Sequence, residues 1–545
     1  MTPNASGTRL TNRYSLALLG VLGVGLTASL WLRHRWLWQD EVISYVYLTT
    51  PSLGTMHRAL AGSLEANPPL FLNVYWLLGH VSLHPQFLRA VSVGLFALTI
   101  ALFYRYTTQR LGRPTTNFMV LTLFICATNL DYRLAIQVRG YSLFLLLNWL
   151  FFVSTHRLAL APGRRGQLLV HGLLATALAF VHNYGLLYVA TAGAFFLVLA
   201  GWTRRWEYLW ALGAQAVAGG LWLVGWFPTF QAQSQSSKPY SWIPAPTIDL
   251  FFRTVCELLP LHFDVLEANP YFRWLPVVRV AGLAWLMVVV GRPLLRRGPA
   301  TLLQRPAHLM VVLAGFVAVG STAVALAVSV AVVPVFISRY MWFNHLLFAL
   351  IALQAYYRFA RPGVGAAWRP LMPAYVVLLV VVVAYRSSRT MLFSADILGS
   401  TKALNQRYPL FFESVDYFLP IWHQRLHPQP RFLLDWPGAL RSPVRNAVSD
   451  YHEMETLRAN FGVPQVVAPA EFTGTRFPRF YVLDEAGRYQ IEGFVAAGRV
   501  RVLRVLPTSV ADQRILECVF ADPAAAADGV PVAASGGVGP GAVGR

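Results

Sequence analysis

Apolar runs long enough to cross a bilayer alternate with short polar gaps over roughly the first 385 residues. The runs lie near 14–32, 87–104, 115–131, 140–155, 167–181, 183–202, 208–227, 274–291, 307–332, 341–357 and 371–385. A helical span needs about 20 apolar residues, or fewer in a thin membrane, so the pattern predicts about eleven transmembrane helices. After Tyr385 the rhythm changes. Stretches such as RFLLDWP, FPRFYVLDE and GRVRVLRVL read as short strands, and 450–461 reads as a helix. Residues 386–522 are expected to form a small α/β domain, and the Ala-, Gly- and Pro-rich residues 523–545 a disordered tail. The expected fold is mainly α: a polytopic membrane helix bundle over 1–385 followed by that domain.

The polar gaps set the threading. With the N-terminus inside, the inner gaps carry Arg105, Arg110 and Arg113; Arg157, Arg164 and Arg165; Arg204 and Arg205; Arg292, Arg296 and Arg297; and Arg358, Arg361 and Arg369. Every inner gap is then basic, as the positive-inside rule requires. The outer gaps, 33–86, 132–139, around 182, 228–273 and 333–340, are aromatic- and proline-rich and less consistently basic. The short run 69–83 contains Asn73 and His80, and counting it as a span would invert every later gap. It is read as a juxtamembrane helix at the outer interface, with Pro68 and Pro69 at its start; an ordinary short span is the alternative. Arg9 and Arg13 precede the first run and no small-x-small cleavage pattern follows it, so it reads as an uncleaved span. The expectation is a multi-pass protein of the cell inner (plasma) membrane, N-terminus cytoplasmic, C-terminal domain periplasmic or extracellular.

Composition narrows the classes. Of 545 residues 56% are hydrophobic and 13% charged, about half the charged share of a soluble domain. The 45 basic against 24 acidic residues give a net charge of +21. Such an excess can mean nucleic acid, but these arginines sit in short gaps between spans, where they act as topology signals and headgroup contacts; no nucleic-acid partner is expected. Cys126, Cys256 and Cys518 fit no zinc or redox spacing, and separately buried thiols are expected rather than a disulfide.

Six polar groups fall at the outer ends of the spans. Asp40 and Glu41 follow the first span; adjacent carboxylates at a membrane surface suit a general base or a cation site, or a solvated pair balancing Arg33 and Arg35. Asn67 and Pro68 open the juxtamembrane helix. In LDYRLAIQVRGYSL (130–143), Arg139 and Tyr141 stand where a phosphate would sit, and an arginine can hold phosphate oxygens bidentately. His182 and Tyr184 mark an outer turn, Trp242 with Pro244 and Pro246 the long outer loop, and Arg339 and Tyr340 the start of a late span. Each alone has a plain reading as an interfacial anchor or turn residue. Together they share one side of a topology that was threaded from arginines.

Their order resembles the GT-C glycosyltransferases, in the branch of protein O-mannosyltransferases, aminoarabinose transferases and the rhizobial galacturonosyltransferase-like group. In that branch an acidic pair follows the first span, here Asp40-Glu41. A His/Lys-Pro-Pro-Leu element is matched by Asn67-Pro68-Pro69-Leu70. A Gln-Glu-Ala-Arg-x-Tyr-like element is matched by Ile136-Gln137-Val138-Arg139-Gly140-Tyr141. A His-Tyr-like turn is met by His182-Asn183-Tyr184, a Trp-Ile-Pro-Pro-like loop by 242–246, and a late Arg-Tyr by Arg339-Tyr340. The similarity covers residues 14 to about 357. One departure is that the family's glutamate position holds Gln137, with Asp131 nearby. It leaves metal dependence open: Mg or Mn, if used, would fall to Asp40, Glu41 and Asp131.

The resemblance implies transfer of a sugar from a polyprenyl-phosphate sugar to a lipid, glycan or protein acceptor at the outer face, with inversion. Asp40 or Glu41 would take the acceptor proton. Arg139, Tyr141, Arg339 and Tyr340 would hold the donor phosphate. Asn67, Pro68, Gln137, His182, Tyr184 and Trp242 would line the substrate. A flippase of lipid-linked sugars and an inactive scaffold of the same fold are the competing expectations.

Overall fold

The structure is a computed structural model; the described residues are 5–33, 36–61, 64–237, 242–260, 270–296, 298–359, 369–390, 393, 396–444, 446–485, 491–510 and 513–521. The expected tail 523–545 lies outside them. The chain divides into two units, Met1–Ser394 and Ala395–Arg545.

Among the described residues the regular structure of the first unit is all helical. In chain order its helices are α1 (Ala5–Arg33), α2 (Gln39–Leu48), α3 (Leu53–Leu60), α4 (Leu70–Gly79), α5 (Pro85–Leu111), α6 (Pro114–Cys126), α7 (Asn129–Ala135), α8 (Tyr141–Leu160) and α9 (Arg165–Val181). There follow α10 (Gly185–Thr203), α11 (Tyr208–Gly225), α12 (Phe227–Ser237), α13 (Ile248–Glu257), α14 (Leu275–Leu295), α15 (Gly298–Leu303), α16 (Pro306–Ala331), α17 (Trp342–Phe359) and α18 (Met372–Arg389). Among the described residues eight helices are long and apolar enough to span a membrane: α1, α5, α8, α10, α11, α14, α16 and α18. Leucine, valine and tryptophan side chains stand exposed on them, among them Leu16, Trp210, Val224, Trp285 and Val377. Exposure on that scale marks a surface that faces lipid. The protein is a multi-pass membrane protein.

The expected count of eleven is not reached by this measure. The run 115–131 is broken into α6 and α7, bent by 77°, and makes a ninth span only if the pair counts as one. Residues 167–181 fall within α9, whose 17 residues make it shorter than the eight. Residues 341–357 form α17, which carries Asn344, His345 and Arg358 and is less apolar. The run 69–83 is helical, as the short α4, and the turn after it ends at the Pro85 that starts α5.

Small residues let the helices approach. A Cβ on Gly25 of α1 would lie 2.9 Å from Val383 Cγ1 of α18. At the α9–α10 turn the demand is stricter. A Cβ on Gly185 would fall 2.0 Å from the Leu178 carbonyl oxygen, backbone that cannot step aside, so glycine alone permits the hairpin that displays His182.

The second unit is α/β. Six strands, β1 (Leu410–Phe412), β2 (Pro430–Leu433), β3 (Val466–Val467), β4 (Arg479–Glu485), β5 (Val500–Pro507) and β6 (Gln513–Phe520), lie in the order β3-β2-β1-β4-β6-β5. The pairs β1–β2, β1–β4 and β2–β3 are parallel, whereas β6 is antiparallel to both β4 and β5. Strand β4 is buried over Phe480–Asp484, as expected of a strand covered on both faces. Phe411, Phe472, Phe477 and Phe480 pack edge-on in its core. Cys126, Cys256 and Cys518 are buried free thiols.

Candidate functional site

The neighbours Asp40 and Glu41 sit in the first turn of α2. Successive helix positions are turned by about 100°, so the two carboxylates face different surroundings. Glu41 points inward and is fully buried. Its oxygens accept from Arg89 Nε at 2.8 Å and from Arg89 Nη2, from the Val138 amide at 2.9 Å and from the Trp38 amide at 3.2 Å. Arg89 Nη2 also donates to the Trp36 carbonyl, 2.9 Å away. Glu41 thus ties α2 to α5 and to the segment before α8. An acceptor hydroxyl has no access to it, and the expectation that it shares the base role is corrected on that ground.

Asp40 is different. Its side chain is 20% exposed and lies 3.6 Å from Arg339 Nη1, close enough for an ion pair but too far for a hydrogen bond. Arg339 sits in the short turn Ser338–Met341 that leads into α17. Its guanidinium carbon is 4.6 Å from the centre of the Trp242 ring and 5.4 Å from that of Tyr340. Its Nε is buried and has no hydrogen-bond partner.

Arg139 is more fully engaged. Nη1 donates to the Asp40 carbonyl at 3.3 Å, to Ser44 Oγ at 3.2 Å and to Glu65; Nη2 reaches the same carboxylate at 3.4 Å. Glu65 is 4% exposed and also accepts from the Asn67 amide at 3.2 Å and Asn67 Nδ2 at 2.7 Å. Gln233 Nε2 donates to the Glu65 carbonyl at 3.0 Å. Asn67 therefore serves Glu65, and Pro68 is buried beside it. Burial opposes the charge on both arginines. For Arg139 the Glu65 and Asp40 carboxylates outweigh it; for Arg339 the Tyr141, Tyr340 and Asp40 groups do. Both guanidiniums are held above their ordinary value, so both stay cationic.

His182 completes this end of the bundle. It is 4% exposed, stacked on Phe144 and packed against Tyr340 and Tyr184. Burial, with the Arg139 and Arg339 charges, pushes it down to about 3, so the ring is neutral. Nδ1 accepts the Tyr184 amide at 3.1 Å, which leaves the ring proton on Nε2, a buried donor without a partner. The Tyr184 hydroxyl donates to the Val335 carbonyl. Asn183 Nδ2 donates to the Ala66 carbonyl at 3.0 Å, tying this turn to the Glu65 segment.

Asp40, Arg139, Tyr141, Arg339, Tyr340, His182, Tyr184 and Trp242 come together. Gln137 is buried, and its backbone carbonyl accepts from Ser92 Oγ at 2.6 Å. Asp131 is taken up elsewhere: Trp342 Nε1 donates to Oδ1 at 2.6 Å, and His345 Nε2 is 3.0 Å from Oδ2. With Glu41 held by Arg89, the trio Asp40, Glu41 and Asp131 does not fit a divalent metal. Among the described residues the one carboxylate trio whose oxygens lie within 4.8 Å of one another is Glu413, Asp484 and Glu492, in the second unit.

Sequence reasoning missed Glu65 and Arg89, the two partners that organise the site. A signal existed for each. Arg89 is a charge near the start of an apolar run, where an unpaired cation is costly. Glu65 is one of few carboxylates in the first unit and lies just before the Asn67-Pro68 element. No protein-family model matches this chain, and no curated protein matches it.

Proposed function

We propose that the chain is a GT-C-type glycosyltransferase that moves a sugar from a polyprenyl-phosphate donor to a lipid, glycan or protein acceptor. The observation that carries this reading is the pairing of a partly exposed carboxylate, Asp40, with a cation, Arg339, that keeps a buried unpartnered donor above an aromatic floor. A group-transfer reaction with a phosphate leaving group needs those two parts. Asp40 takes the proton as the acceptor hydroxyl attacks the anomeric carbon. The bond from that carbon to the phosphate oxygen breaks, and the electron pair leaves on the polyprenyl phosphate. Arg339, then Arg139 and the Nε2–H of His182, stabilise its growing charge. A single displacement inverts the anomeric centre. Trp242 offers a face for a sugar or prenyl group. Glu41 acts through position: it locks Val138, and with it the neighbouring Arg139, against α2 and α5. No step is routed through a metal.

The reading places the site at the outer face of the inner (plasma) membrane, with the N-terminus cytoplasmic. The test is release of polyprenyl phosphate from a panel of polyprenyl-phosphate sugars by purified protein, with cell-envelope extract as acceptor. Wild type should release it from at least one donor, and Asp40→Asn should not, with its fold and donor binding intact. No release from any donor would move the assignment to a flippase of lipid-linked sugars or an inactive scaffold.

A further inference from the structure

Far from Asp40 the bundle concentrates a second set of cations that the proposed chemistry leaves unused. At about 1.5 Å per residue, Arg110 lies roughly 30 Å along α5 from Arg89, and Arg157 roughly 24 Å along α8 from Tyr141. These lengths approach the thickness of the hydrocarbon core, so Arg110 and Arg157 stand at the opposite membrane face. Both guanidiniums lie over one ring, that of Tyr106, with their central carbons 5.1 and 5.7 Å from its centroid. The ring is fixed. Tyr106 pairs with His156 Nδ1 at 2.7 Å, and His156 Nε2 pairs with the Pro306 carbonyl at 2.8 Å. A carbonyl only accepts, so Nε2 carries the proton and Nδ1 accepts from the Tyr106 hydroxyl.

A third cation, Arg113, lies 5.0 Å over the Tyr357 ring. It follows Gly112 in a turn where both residues have positive φ, 72° and 52°. An arginine is strained there and a glycine would not be. Among the described residues no carboxylate pairs with Arg110, Arg113 or Arg157, and Arg110 Nε is buried without a partner. An aromatic face attracts a cation but does not neutralise it, so like charges gathered here call for an anion. Guanidiniums match the oxygens of a phosphate in geometry as well as charge. At a membrane face the abundant phosphate is the phosphodiester of a lipid.

We propose that Tyr106, Arg110 and Arg157, with Arg113 three residues past Arg110 at the same membrane face, form a headgroup site for an anionic phospholipid, on the face opposite Asp40. The site is independent of the glycosyltransferase reading. It is tested on the full chain in phosphatidylcholine nanodiscs into which phosphatidylglycerol is titrated, following thermal stability and lipid co-purification. Phosphatidylglycerol should raise the melting temperature of wild type and be retained by it. Arg110→Gln/Arg157→Gln should weaken retention roughly thirtyfold, as two interfacial cations are lost. Arg292→Gln/Arg296→Gln, which removes the same charge at the far end of α14, should retain the lipid. If the first double variant does not fold, Arg113→Gly carries the test, since it relieves the strained turn while removing a cation: it should be as stable as wild type without the lipid and respond less to it. The proposal is overturned by unchanged retention in Arg110→Gln/Arg157→Gln or, where that variant does not fold, by a wild-type response to the lipid in Arg113→Gly. Equal loss in the α14 variant, which marks diffuse charge, or a shift reproduced by millimolar inorganic phosphate, which marks a soluble-anion site, overturns it as well.

Discussion

Glu41→Gln is the perturbation that separates scaffold from chemistry. Glu41 and Arg89 are both fully buried, and the carboxylate also accepts two backbone amides. Removing its charge leaves a cation in a low-dielectric interior, which costs about 3–5 kcal/mol. Asp40, one residue earlier, forms a partly exposed pair at 3.6 Å, and such pairs contribute about 0.2–1 kcal/mol. Glu41→Gln should therefore be less stable than Asp40→Asn by roughly 3 kcal/mol. The assay is unfolding of both variants in one detergent, followed by tryptophan fluorescence, alongside polyprenyl phosphate release. Arg89→Gln should be destabilised like Glu41→Gln, and the double variant by less than the two together, because neither charge is then stranded. Equal stability of Glu41→Gln and Asp40→Asn would refute the reasoning. So would a stable Glu41→Gln that has lost release beside an active Asp40→Asn.

Further outcomes follow from the same geometry. Arg339→Ala should weaken donor binding by about tenfold or more, the loss of a charge-assisted contact, and unchanged affinity would remove Arg339 from the phosphate site. In the second unit, burial and then the Asp484 and Glu492 charges push the Glu413 carboxyl well above its ordinary range. The folded form then holds the proton more tightly than the unfolded chain, so this group's contribution to stability is full below the ordinary carboxylate range and falls away as pH rises through the raised value. Glu413→Gln should flatten that fall in a series of melting curves, and a profile parallel to wild type would discard the idea. A cysteine in place of Arg165 should resist a membrane-impermeant thiol reagent in intact cells, whereas labelling from outside would invert the topology.

The multi-pass helical bundle and the later α/β unit were legible in the sequence because both rest on local periodicity. An apolar run of span length, or an alternating strand, is written in consecutive residues. The α6–α7 bend of 77° was not read from the sequence, although Thr128 and Asn129, residues of the type that open a helix, stand at the break within the apolar run. Six motifs at one end of the bundle were also readable, because residues at the ends of successive spans must share a membrane face. What only the tertiary structure decided was which member of each motif is free to act. Asp40 and Glu41 are adjacent and chemically alike, and the difference between them is a partner 48 residues further on for one and an open side for the other. Arg139 and Arg339 looked equivalent until Glu65 engaged the first and left the second above Trp242. Asp131, close to Gln137 in sequence, is turned instead to Trp342 and His345. Secondary structure follows from neighbours along the chain. Charge pairing follows from neighbours in space, and a buried pair forms where two distant helices bring opposite charges into contact away from water.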